Sequence, residues 1–169
     1  MKTTTTSLSE FLLNKSYFKI KMHPIASNHF KIIGKVNGIK GLFILDTGAS
    51  TTFIGLKHEE KFKLKTQSSV VKASGAGPDK IDTLLSKNNT LSIGGWKKTR
   101  FPIALIDLSF VNDALESVKT LPVDGIIGAD ILKKGLAVID YEKRYLYLKN
   151  SYQTPSVQSF AFGSCVSIK

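Results

Sequence analysis

The sequence predicts an all-β, barrel-like single domain with only short helices, and three observations carry that prediction. Apolar residues recur mostly in short runs or in alternation, the period of strands rather than of helices. Turn dipeptides, Asn37-Gly38 and Gly94-Gly95, separate several of these runs. Stretches with helical spacing are few and short. At 169 residues, the chain suits one domain with a sizeable core and is too short for two large ones.

Taken in order, Ser9 and Glu10 open a short helix through Phe11-Leu12-Leu13, and residues 16–22 alternate as a strand. Turn residues Pro24 and Asn28 then mark off residues 1–28 as an N-terminal extension, with the domain proper expected over 29–149. Residues 29–36 and 39–45 flank Asn37-Gly38, which favours the positive φ angles of a type I′ hairpin turn. Further short strands are expected over 69–73, 81–85, 90–93 and 101–106. Asn112 or Asp113 is expected to cap a short helix through Leu115 and Val118. Asp130 is expected to cap another over 131–134, which Gly135 stops. Residues 136–141 and 145–148 read as a closing hairpin around Glu142-Lys143. The tail, 150–169, is polar at first and then alternates Phe160, Phe162 and Val166 as one more strand.

Composition narrows the function classes. With 42% hydrophobic and 22% charged residues, the chain has the make-up of an ordinary globular domain. No apolar run approaches the roughly 18 residues of a membrane span. Phe11-Leu12-Leu13, the longest apolar stretch near the start, is too short for the core of a signal peptide. No membrane partner and a cytoplasmic location are therefore expected. Cys165 is the single cysteine, which excludes an intrachain disulfide and a thiolate cluster. His58-Glu59-Glu60-Lys61-Phe62 lacks the second histidine of a zinc-binding helix, so neither metal nor cofactor is expected.

The formal charge of +11 raises a nucleic-acid reading. The lysines, however, are scattered from Lys2 to Lys169 in blocks no longer than an adjacent pair, without interleaved aromatic residues. A lysine-coated surface with no nucleic-acid partner is the expectation. Lys61, Lys63 and Lys65, alternating with Phe62 and Leu64, read as the solvated face of a half-buried strand.

The most informative stretch is Gly41-Leu42-Phe43-Ile44-Leu45-Asp46-Thr47-Gly48-Ala49-Ser50. A four-residue apolar run leads straight into an acidic residue, so the carboxylate is placed at the end of a buried strand. Gly48 permits a sharp turn, and Thr47 and Ser50 bring hydroxyls that can hold it or bond a carboxylate. An Asp-x-Gly turn also ends strands in many β proteins, so this fragment alone leaves function open.

A second stretch, Val123-Asp124-Gly125-Ile126-Ile127-Gly128-Ala129-Asp130-Ile131-Leu132, changes the balance. Together, in this order and at this separation, the two stretches resemble the retropepsin-like aspartic peptidases, bacterial members included. The resemblance covers roughly residues 29–149. It implies a closed β-barrel in which the Asp-Thr-Gly loop is threaded beside Ile126-Ile127-Gly128, with Gly128 small enough to let that loop pack against it.

Aspartic peptidases need two carboxylates about 3 Å apart sharing one proton. This chain holds one such motif and no internal repeat: Asp82-Thr83 continues into Leu84, and Asp124-Gly125 lacks the hydroxyl residue. A homodimer on a two-fold axis, bringing Asp46 against its own mate, is the expected solution. The resemblance then implies Asp46, Thr47 and Gly48 as the catalytic residues of an endopeptidase acting on a polypeptide substrate. It further implies a glycine-rich flap at Ser74-Gly75-Ala76-Gly77-Pro78, flanked by Val70-Val71 and Ile81. Ala49, Ser50, Ser74, Gly75, Ala76, Gly77 and Ile126 are the expected substrate-binding residues. Phe43, Ile54, Leu84, Ile103 and Ile126 are the expected source of apolar pockets.

Two positions depart from the retroviral pattern. Ser50 stands where an aspartate is usual, and Ala129 where its arginine partner is usual. Losing both leaves no orphaned buried charge. The last strand is left with three placements: across a two-fold axis, in the cleft, or within its own subunit. A catalytically silent peptide-binding or dimerisation domain of the same fold is the rival reading. The intact Asp46-Thr47-Gly48 weighs against it.

Overall fold

The computed structural model describes residues 6–68, 73–74 and 80–149. In chain order it runs α1 (Leu8–Asn14), β1 (Tyr17–Lys21), β2 (His23–Pro24), β3 (Phe30–Val36), β4 (Ile39–Leu45) and β5 (Phe53–Gly55). A 3-10 turn (Leu56–His58) leads to β6 (Thr66–Ser68), β7 (Ala73–Ser74), β8 (Lys80–Ile81), β9 (Leu84–Ile93) and β10 (Trp96–Ile106). Then come α2 (Ser109–Ser117), β11 (Gly125–Ile127), α3 (Ala129–Lys134), β12 (Val138–Asp140) and β13 (Tyr145–Lys149).

The hairpin between β3 and β4 turns at Asn37-Gly38, whose φ angles are 51° and 84° as a type I′ turn requires. The Asn37 side chain also ties this turn to the rest of the ring. Its Nδ2 donates to Phe62 O and to Asn89 Oδ1, and its Oδ1 accepts from Thr90 N, each at 2.9 Å. Alternation along β3 buries Ile32, Gly34 and Val36 while Ile33 and Lys35 face out.

Six strands form a closed ring in the order β3-β4-β11-β5-β10-β9, and β9 returns to β3 through Gly34↔Ile93, Lys35↔Ser92 and Val36↔Leu91. Closure leaves no free edge within the ring. β2 and β6 flank it on β3 and β9. Ile32, Val36, Phe43, Ile54, Leu91, Ile93, Ile103, Leu105 and Ile127 fill the core and are essentially inaccessible. The chain is thus a single-domain all-β barrel with short helices. Outside it, α2 lays Leu115 against Ile44 and Val123, so the outward face of β4 is covered as well.

The structure corrects several sequence expectations. β9 is one ten-residue strand where two were expected. The alternation of Lys61, Lys63 and Lys65 belongs to turns: Phe62 N bonds His58 O, Leu64 N bonds Glu59 O, and Lys63 has φ 53°. Turns can alternate burial as strands do when each apolar side chain folds back over the core. Helix α2 starts before Asn112, with Asp107 Oδ1 accepting from Ser109 N at 2.9 Å. Asn112 instead pairs with Val123 through both its amide groups. The N-cap of α3 is Gly128 rather than Asp130.

Part of the expected N-terminal extension lies within the fold. β1 pairs antiparallel with β13, which also pairs with β12, and Ile20 and Met22 join the core. Ser7 opens α1 with a reciprocal capping box to Glu10, whose carboxyl is held below its usual range by accepting from the Ser7 N–H and the Ser7 hydroxyl. The tail 150–169 and the flap tip 75–79 lie outside the described residues, as do residues 69–72. No helix among the described residues is long and apolar enough to cross a membrane.

Candidate active site

Asp46 is the first residue past β4, and two interactions fix it there. Its backbone N–H donates to Ile127 O at 3.0 Å, one step beyond the parallel pairing Ile127↔Leu45. Its Oδ1 accepts from Gly48 N at 2.8 Å. A side chain at Gly48 would bring Cβ to 3.2 Å from that same oxygen. The glycine therefore keeps the carboxylate–amide contact uncrowded, without adopting a positive φ. The rest of the half-buried carboxylate has no hydrogen-bond partner among the described residues.

Thr47 and Ser50 are exposed, and Ala49 is half-buried. Neither hydroxyl makes a hydrogen bond within the described residues. The hydroxyl that does hold the loop belongs to Thr52, which is 1% exposed. Thr52 Oγ1 donates to Asp130 Oδ1 at 2.7 Å and accepts from Gly128 N at 3.0 Å. Sequence reasoning missed Thr52, although its place in the run Ser50-Thr51-Thr52 just before β5 was visible.

Gly128 is where the loop and β11 meet most closely. A Cβ there would lie 2.6 Å from Thr51 O and 2.8 Å from Ala49 O, both backbone atoms. Ala129 N also donates to Ala49 O at 2.7 Å. The loop 46–52 is thus laid across the end of the Ile126-Ile127-Gly128 strand, as the resemblance implied.

Of the expected pocket residues, Ile126 is half-buried and pairs with both Ile44 and Phe53. Leu84 is partly buried, whereas Phe43, Ile54 and Ile103 point into the closed core and cannot line a pocket. Strand alternation sends these three inward. Around the expected flap, β7 and β8 pair antiparallel through Ala73↔Ile81 and Ser74↔Lys80. They bracket Gly75, Ala76 and Gly77, which lie outside the described residues together with the side chain of Ser74.

A hollow lined in part by His58, Asp107 and Ser109 brings together residue types of a nucleophilic triad. Its hydrogen bonding argues otherwise. Ser109 donates both its hydroxyl, at 2.7 Å, and its N–H to Asp107, holding that carboxyl below its usual range. His58 Nδ1 instead faces Asp124 at 3.4 Å. The serine is a helix-start residue, not an activated nucleophile.

A sequence model described as aspartyl protease matches residues 32–131, more than half of the chain, and spans the Asp46 loop and the Gly128 strand. The chain belongs to the aspartyl protease family, and its fold is the retropepsin-like one. Its structure is similar to a retropepsin-like aspartic protease from Rickettsia conorii, with a TM-score of 0.54 and 20% identity over 79% of this chain and 92% of that one. It is also similar to the retroviral protease-like domain of Ddi1 from Leishmania major (TM-score 0.49, 19% identity, 71% of this chain, 87% of that one). A further match is EIAV protease complexed with the inhibitor HBY-793 (TM-score 0.48, 21% identity, 64% and 88%). No curated protein matches the chain significantly in sequence.

Proposed function

We propose that the chain is an aspartic endopeptidase that works as a homodimer, with two copies of Asp46 forming one catalytic dyad. The observation that carries this reading is the state of the Asp46 carboxylate. Its backbone is pinned to β11, it receives one loop amide, and its remaining lone pairs are uncommitted among the described residues. Two such groups facing across a two-fold axis share one proton, because both cannot ionise at about 3 Å. The ionised copy takes a proton from a bound water while the protonated copy donates to the scissile carbonyl. The water oxygen then adds to the carbonyl carbon, the developing oxyanion is stabilised in place, and its collapse breaks the C–N bond as the dyad returns a proton to the leaving nitrogen. The dyad titrates as a pair.

Thr47 and Gly48 shape the loop around the dyad, and Ala49, Ser50 and Ile126 meet substrate beside it. Ser74, Gly75, Ala76 and Gly77 are read, in this scheme, as a flap over an extended peptide that excludes water. Residues 1–28, 29–149 and 150–169 are read as extension, peptidase domain and a tail able to add an interface strand. Neither cofactor nor nucleic acid has a part in this scheme.

The test is solution mass together with a peptide-library digest from mildly acidic to neutral pH, using wild type and Asp46→Asn. Pepstatin-sensitive cleavage by a wild-type dimer, absent in Asp46→Asn, is the expected result. Cleavage that survives in Asp46→Asn, or an inert monomer at every concentration, overturns the proposal.

A further inference from the structure

We infer that Thr52 and Asp130 are positioning residues that set where the Asp46 carboxylate sits, an inference that rests on the peptidase reading above. The segment from Asp46 to Thr52 is held at both ends by the same neighbour. At the front, Asp46 N bonds Ile127 O at 3.0 Å; in the middle, Ala49 O accepts from Ala129 N at 2.7 Å. At the back, the Thr52 hydroxyl bridges two groups, accepting from Gly128 N and donating to Asp130 Oδ1. Asp130 Oδ1 is itself steadied by Ile131 N at 2.8 Å, so one oxygen ties the first turn of α3 to the loop.

Thr52 is buried and stands six residues past the carboxylate, so it acts through the loop and not on substrate. Breaking the rear attachment leaves the segment held by the Asp46 and Ala49 backbone bonds alone, so the loop that carries the carboxylate is less firmly seated. Displacement of a catalytic group by about 1 Å costs on the order of a hundredfold in rate. Both bonds that Asp130 makes here go to Oδ1, an acceptor that an asparagine keeps. The role therefore needs the acceptor and not the charge.

Thr52→Val, Thr52→Ser and Asp130→Asn, made in the full chain, test this on the best peptide that wild type cleaves. Amide hydrogen exchange over residues 46–51 is measured alongside. Thr52→Val is expected to lower kcat about a hundredfold with KM nearly unchanged and to speed exchange at Asp46 and Gly48. Thr52→Ser and Asp130→Asn are expected to keep wild-type kcat, pH profile and exchange. Full activity in Thr52→Val overturns the inference, as does activity lost without faster exchange in the loop. Loss of kcat or a displaced acid limb in Asp130→Asn overturns it too, because charge would then be the agent. If wild type cleaves nothing, the peptidase reading fails by itself, and the exchange measurement still decides whether Thr52 holds the loop.

Discussion

Asp46 and Asp124 belong to the same parallel strand pair, β4 and β11, and have opposite fates. Asp46 leaves the C-terminal end of β4, half-buried, with one donor to its carboxylate among the described residues. Asp124 precedes β11 at the other end, is 8% exposed, and is surrounded by donors. Leu42 N donates to its Oδ2 at 2.9 Å and Lys61 Nζ to its Oδ1 at 2.5 Å, while the ring nitrogen His58 Nδ1 stands 3.4 Å from that same oxygen. A carboxylate has about four lone-pair sites. Where the fold fills them, the acid becomes a brace between strands; where it leaves them open, the acid keeps acceptor positions for other groups. The difference lies in what the neighbouring backbone and side chains demand, not in the residue.

Replacing each acid separates the two roles. Asp46→Asn should abolish peptide cleavage in the digest while leaving the urea midpoint nearly unchanged; a large stability loss would break the contrast. Asp124→Ala should do the reverse first, lowering unfolding free energy by about 2–4 kcal/mol, because Leu42 N–H and Lys61 lose a buried partner. Gly128→Ala sits between the two cases. Its Cβ would press on backbone of Ala49 and Thr51, so about 1–3 kcal/mol of overpacking should accompany a loss of activity. Lys61→Met should cost only about 1 kcal/mol, since the lysine is partly solvated and Leu42 N–H still serves Asp124.

The smallest effect concerns Lys31, which is buried and donates to Leu121 O. Burial pushes its ammonium below the usual lysine range. The unfolded chain then holds its proton to higher pH than the folded one, so the penalty is present at neutral pH and fades as pH rises toward about 10.5. Melting curves from pH 8 to 10.5 should therefore show wild type gaining on Lys31→Met across that window. A constant gap would argue against a charged, desolvated Lys31.

The barrel was legible because its signals are local. Asn37-Gly38 and Gly94-Gly95 specify turns by their own conformational preferences, and alternation marks inward faces. The Asp46 motif and the Gly128 strand were legible for the same reason, each being contiguous. The Thr52–Asp130 bond was not, because it joins residues 78 positions apart and a buried threonine carries no periodic mark. The start of α2 was misplaced because Asn112 is an excellent cap in isolation, yet tertiary pairing with Val123 claims its amide. The register of β10 also escaped detection, since bulges between Lys98 and Ile103 interrupt its alternation.

The pairing of β1 with β13, from Tyr17↔Lys149 to Lys21↔Tyr145, has a consequence for biogenesis. β1 must wait for β13 before it has this partner, whereas every strand of the closed ring is already out once Ile127 has emerged. The ring can therefore assemble ahead of the outer sheet, which zips on afterwards. Clipping the chain before Tyr145 would take away the partner strand of β1 and, with it, Leu146 and Leu148 from the core that Ile20 and Met22 share.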